Sequence, residues 1–153
     1  MNKTNIVLEK GRCPHCRLNL CDGEIINIWA KLLDGVTVPV QLSTTVGDYT
    51  VKSESPIHDQ EKLTILCPYC GCSLHKEEEG VINQNKCELV DVKIVGDSYG
   101  KYTLEFLSDM GQQGTILKKN GIEVYHKGKD YERAFGEVHA NNETDKMYTD
   151  IRG

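Results

Sequence analysis

The chain has 153 residues, of which 39% are hydrophobic and 27% charged, and its formal net charge is −5. That length suits one ordinary domain or two small ones, and the patterned runs of Ile, Val and Leu exclude a wholly disordered chain. No apolar run approaches the ~20 residues of a membrane-spanning helix, the opening Met1-Asn2-Lys3-Thr4 carries no apolar secretory stretch, and a cytoplasmic location without membrane contact is expected.

Residues 5–9 are expected as a short strand leading into Cys13-Pro14-His15-Cys16. Asp22–Leu33 is expected as a helix: Ile25, Ile26, Ile28, Trp29, Ala30, Leu32 and Leu33 share one broad face, with Asp22 and Gly35 as caps. Asp34-Gly35 also suits a hairpin turn. Val36–Ser43 alternates as a half-buried strand, and Pro39 places it at an edge. Tyr49–Ser53 is a further strand, Glu54–Gln60 a polar loop, and Leu63–Leu66 a strand running into Cys67-Pro68-Tyr69-Cys70-Gly71.

Lys76–Lys86 is polar and charged and reads as a linker. Beyond it, Glu88–Val95 and Lys101–Leu107 alternate as strands. Thr115–Lys119 and Ile122–Lys127 flank Asn120-Gly121, a strong hairpin signal. These four runs read as an antiparallel meander. Tyr131, Ala134, Phe135 and Val138 mark the apolar face of a short C-terminal helix, weakened by Gly136, and 140–153 is a polar tail expected to fray. The expected fold is thus mainly β of the α+β class. A zinc-ribbon-type region at 1–75 carries an inserted helix or strand segment. A linker at 76–86 follows, and then a meander with a C-terminal helix at 87–153.

Two phenylalanines and one tryptophan give few large core anchors, so a fold this thin calls for a staple. The seven cysteines are Cys13, Cys16, Cys21, Cys67, Cys70, Cys72 and Cys87. An odd number without an export signal argues against a disulfide framework. The informative feature is the pair of C-P-x-C turns. A C-x2-C turn brings both sulfurs to one side, proline fixes φ early in it, and a following glycine permits φ > 0 so that backbone N–H groups face the sulfurs. Two such turns facing each other give a tetrahedral thiolate site that suits Zn²⁺. The expected metal ligands are therefore Cys13, Cys16, Cys67 and Cys70, with zinc as cofactor and iron as the alternative, since rubredoxin-like iron uses the same four thiolates.

The two turns resemble the knuckles of the zinc-ribbon and rubredoxin-like class, a likeness that covers about Leu8–Leu74. The first knuckle departs from that pattern with Arg17 where glycine is common, and the 50 residues between the knuckles exceed what a minimal ribbon needs. A dithiol redox protein is the rival reading of the same C-P-x-C pairs. Only 22 residues separate Cys16 from Pro39, too few for the helix, strand and helix that a thioredoxin-like unit would place there. Cys72 and His75, with C-x2-H spacing, together with Cys21 and Cys87, offer a second metal constellation. The plainer reading makes Cys21 and Cys87 small buried hydrophobes. His15 lies between two ligands and points away from their metal.

No phosphate-binding glycine loop, nucleophile elbow, H-E-x-x-H or zinc-deaminase motif occurs. Four thiolates also close the metal shell, so catalysis by this chain alone is disfavoured. Nucleic-acid binding requires clustered Lys and Arg. A charge of −5, about −7 with a Zn²⁺ tetrathiolate, works against it, and Lys118, Lys119, Lys127 and Lys129 are interrupted by Glu123 and Asp130. The expected role is a zinc-stabilised binding module, or small subunit of an enzyme complex, with a protein partner. That partner would dock on the Asp22–Ser53 insert or on the sheet beyond Cys87.

Overall fold

A computed structural model describes residues 5–97, 100–132 and 135. They form eleven strands arranged in two sheets. In chain order these are β1 (Leu8–Arg12), β2 (Cys21–Asp22), β3 (Ile25–Lys31), β4 (Thr37–Ser43), β5 (Val51–Lys52), β6 (Thr64–Leu66), β7 (His75–Glu78), β8 (Val81–Ile94), β9 (Tyr102–Leu107), β10 (Thr115–Lys119) and β11 (Ile122–Lys127). One sheet has the order β1-β8-β9-β10-β11, with β7 also on β8. The other has the order β2-β3-β4-β5, with β6 also on β3. All pairs are antiparallel.

The α+β expectation is corrected: the protein is mainly β, with no helical element among the described residues. The predicted inserted helix at Asp22–Leu33 is the β2–β3 hairpin. Ile26, Ile28 and Ala30 are buried at every second position, while Trp29 and Lys31 are exposed. Period two therefore wins over period 3.6. The pattern was ambiguous because Ile25 and Trp29, on the outer face, are also apolar. Both edges of β3 are paired: Ile28 lies opposite Val40 of β4, and Trp29 lies opposite both Pro39 of β4 and Leu66 of β6. Gly23 (φ 66°) and Gly35 (φ 92°) turn the flanking hairpins instead of capping a helix.

Of the predicted C-terminal helix, Ala134 and Val138 lie outside the described residues, as does the tail 140–153. Tyr131 and Phe135 are buried in a small cluster with Leu107 and Ile116. Lys76–Lys86, expected as a linker, lies in the β7–β8 hairpin, with Glu77 opposite Ile82 and Glu78 opposite Val81. Strands β8 to β11 form a consecutive meander whose Asn120-Gly121 turn has φ of 55° and 80°, as a type I′ hairpin requires. Pro39 sits in β4 beyond the reach of β5, which pairs only with Gln41 and Leu42. The missing N–H therefore breaks no ladder bond on that side.

The buried faces of both sheets merge in one core that includes Leu8, Ile28, Ile65, Leu89, Leu104 and Leu117. On the opposite face of β9 from Leu104, Glu105 is a buried ionisable group, its side chain only 5% exposed. Lys118 Nζ donates to its Oε2 at 2.8 Å and Lys76 Nζ at 2.9 Å. Burial pushes this carboxyl up, and the two ammonium groups outweigh it, holding the group below the usual glutamate range. Because the folded-state pKa is depressed, its stabilisation is complete above the ordinary carboxylate range and is lost as pH falls through the folded value. Glu105→Gln should cost about 2 kcal/mol at pH 7. Urea unfolding at a series of pH values should show that difference shrinking below about pH 4.

Candidate metal centre

The two knuckles repeat each other position by position, with Cys13, Pro14, Cys16 and Leu20 answered by Cys67, Pro68, Cys70 and Leu74. Their backbones repeat as well. The N–H of Cys13 donates to Leu18 O at 3.0 Å, and that of Cys67 to Cys72 O at 2.9 Å. The N–H of Arg17 donates to Cys13 O at 3.0 Å, and that of Gly71 to Cys67 O at 2.9 Å. Leu20 N–H donates to Gly11 O, and Leu74 N–H to Ile65 O. Each turn is closed by an isolated bridge, Arg12 to Asn19 in one and Leu66 to Ser73 in the other.

The departure at Arg17 changes the residue and not the backbone. Arg17 adopts φ 69° where Gly71 has φ 77°. A non-glycine side chain pays roughly 1 kcal/mol for that conformation. The Arg17 guanidinium meets Asp91 at 3.0 Å on the surface, a contact that offsets part of the strain.

The knuckles face each other. The four Sγ atoms of Cys13, Cys16, Cys67 and Cys70 all lie within 4.8 Å of one another. Cys13–Cys70 and Cys16–Cys67 are each 3.7 Å apart. A tetrahedron with metal–sulfur bonds of about 2.3 Å has edges of about 3.8 Å, so the donor set fits a tetrathiolate ion. Backbone N–H groups point at the sulfurs: His15 N and Cys16 N to Cys13 Sγ at 3.3 and 3.5 Å, and Tyr69 N to Cys67 Sγ at 3.3 Å. Such donors stabilise thiolate charge. His15 Nε2–H donates to the Ser73 carbonyl at 3.1 Å, so this side chain points away from the sulfurs and ties one knuckle to the other.

Cys13 and Cys67 are fully buried, and Cys70 is exposed. Burial pushes the Cys67 thiol up to about 12 and raises that of Cys13. The Cys72 backbone N–H, with help from neighbouring thiols, draws Cys70 down to about 6. Cys70 is therefore the first of these thiols to ionise, and the buried pair needs a cation alongside to shed its protons.

The second constellation does not assemble: among the described residues no other group of His, Cys, Asp or Glu converges to metal-binding distance. Cys87 is fully buried in β8, and His75 Nε2 accepts the Ile65 N–H at 3.0 Å. Sequence reasoning missed the groove beside the second knuckle, lined by Trp29, Pro39, Gln41, Lys52, Pro68 and Tyr69. Its signal is Trp29, which the helical reading sets on one broad apolar face and which stands 39% exposed on a strand. No protein-family model, curated protein or solved structure matches this chain. Among the described residues no helix is long and apolar enough to cross a membrane.

Two outcomes are expected. In protein freshly stripped of metal and still folded by circular dichroism, pH-dependent alkylation read by mass spectrometry should label Cys70 at lower pH than Cys13 and Cys67. A Cβ at Gly71 meets nothing within 4 Å, so Gly71→Ala adds backbone strain without a clash. It should lower stability by about 1 kcal/mol, and Gly71→Asn by less, measured by denaturant titration.

Proposed function

We propose that Cys13, Cys16, Cys67 and Cys70 hold one Zn²⁺ as a structural centre, and that the protein is a metal-stapled binding module. It serves as an accessory protein or as a small subunit of an enzyme complex. The observation that carries this reading is the convergence of four sulfurs, two pairs of them at 3.7 Å, from two knuckles with matching backbones. Four thiolates close the shell and leave no position for a substrate, which favours a structural over a catalytic role. When bound, the ion supplies the charge that keeps all four thiols deprotonated.

A protein partner is supported by the groove next to the second knuckle. It sets Trp29 and Tyr69, 39% and 60% exposed, among two prolines and the polar side chains of Asn27, Gln41, Lys52 and Glu54. Aromatic rings with nearby amides suit an extended polypeptide segment. Nucleic acid is a poorer match, because the chain is at −5 before any metal is counted.

Purified protein should contain one zinc per chain by elemental analysis and be colourless, whereas iron in the same four thiolates would be red. Cys67→Ser should lose the metal and with it cooperative unfolding. Absence of metal, or unchanged folding in Cys67→Ser, would remove the staple from this reading. A Trp29→Ser, Tyr69→Ser double variant should keep zinc and thermal midpoint while losing a partner that co-purifies with the wild-type chain from its native source at low salt.

A further inference from the structure

The three thiols outside the four-sulfur cluster are not alike. Cys87 is fully buried and Cys21 half-buried, as small hydrophobes at a core are. Cys72 is exposed, and it follows Cys70 across a single glycine. Cys70 is itself the exposed member of the cluster. The Cys72 backbone N–H donates to Cys70 Sγ, and the two side chains are within hydrogen-bonding reach of each other.

The knuckle does not need a thiol at that position. The first knuckle places Leu18 there: Leu18 O accepts from Cys13 N–H as Cys72 O accepts from Cys67 N–H, and Leu18 is likewise exposed. The same backbone turn is thus built with leucine in one knuckle and cysteine in the other. Cys72 adds a fifth sulfur without adding to the fold. It stands on the solvent side of the cluster with Cys70, while Cys13 and Cys67 are buried. Gly71 joins the pair, and a Cβ built on it meets nothing within 4 Å, so this short segment has both the space and the backbone freedom to rearrange.

We infer that Cys70 and Cys72 form an oxidation site, at which a hydroperoxide makes a disulfide between them and takes Cys70 out of the ligand set. The site builds on the metal centre proposed above. The Cys70 thiolate attacks the terminal oxygen of the hydroperoxide. The O–O bond breaks, the alcohol (water, from hydrogen peroxide) leaves with a proton from solvent, and Cys70 becomes a sulfenic acid. Cys72 Sγ then attacks Cys70 Sγ, the S–S bond forms, and the sulfenic oxygen departs as water with the Cys72 proton. The two sulfurs together give up an electron pair and the peroxide takes it. Cys13 Sγ, 3.7 Å from Cys70 Sγ, is the competing partner. It is buried and belongs to the ligand set, whereas Cys72 is exposed and lies outside that set. With Cys70 in the disulfide, three sulfurs remain for the ion, and the junction of the two knuckles loosens.

The test treats the full-length protein with hydrogen peroxide. Its metal is counted first, release is followed with a chromogenic chelator, and disulfides are mapped by mass spectrometry of unreduced peptides. The wild-type chain should release its ion and yield Cys70–Cys72 as the main disulfide, and a thiol reductant with added metal should restore the loaded state. Cys72→Leu copies the first knuckle, so it should keep the metal and the thermal midpoint and release the ion about tenfold more slowly. If that variant does not fold, Cys72→Ser takes its place with the same expectation. A chain that holds no metal before peroxide would overturn the metal centre and this site with it. A loaded chain would overturn the oxidation site alone if it keeps its ion under peroxide, if the Cys72 variant releases the ion at the wild-type rate, or if Cys13–Cys70 is the main disulfide.

Discussion

The cluster of four sulfurs sits where the chain changes sheets, and it does so twice. The chain runs up β1 in one sheet, turns through the first knuckle and enters β2 in the other. It later runs up β6 in that second sheet, turns through the second knuckle and returns to the first sheet in β7. The exchange is reciprocal. β3 carries β2 and β6 on one edge and β4 on the other, while β8 carries β7 and β1 on one edge and β9 on the other. Each half of the molecule thus lends a strand to the sheet of its counterpart. The lent strands are short, five residues in β1 and three in β6. Pairing alone gives such short strands little hold. An ion joining the two knuckles would fix both crossings at once and remove the closure entropy of the long loop between them.

That arrangement explains what the sequence made legible. The knuckles could be read because the chemistry is local: two cysteines, a proline and a residue with positive φ within five positions. The strands of the meander could be read because Val90, Val92 and Ile94, or Tyr102, Leu104 and Phe106, alternate against polar neighbours, and because Asn-Gly has a strong turn preference. Arg17 shows the limit of residue identity, since it occupies a glycine conformation and the geometry of the turn prevails.

What stayed hidden was non-local. Ile25–Lys31 looked helical because a strand paired on both edges can carry apolar residues on its outer face too, and its partner on one edge, β6, lies more than thirty residues away. The exchange of β1 and β6 is encoded in no window of sequence. It follows only once the four sulfurs are brought to one point. The polarity of Lys76–Lys86 signalled exposure and said nothing of pairing, so a hairpin was read as a connection.

β3 is the element in which these features meet. Leu66, opposite Trp29, is the residue before Cys67, so β3 is one residue removed from the second knuckle. Its inward side chains Ile26 and Ile28 wall a cavity between the sheets, and its outward Trp29 forms the groove. β4 repeats the division, with Val40 inward opposite Ile28 and Pro39 outward opposite Trp29. Strand geometry makes this unavoidable, because consecutive residues point to opposite faces. The second knuckle anchors one end of that ribbon through β6. A closed tetrathiolate shell would leave no position for a substrate. With an ion bound as proposed, its consequence would be mechanical, an anchor for the strand pair that presents Trp29 and Pro39.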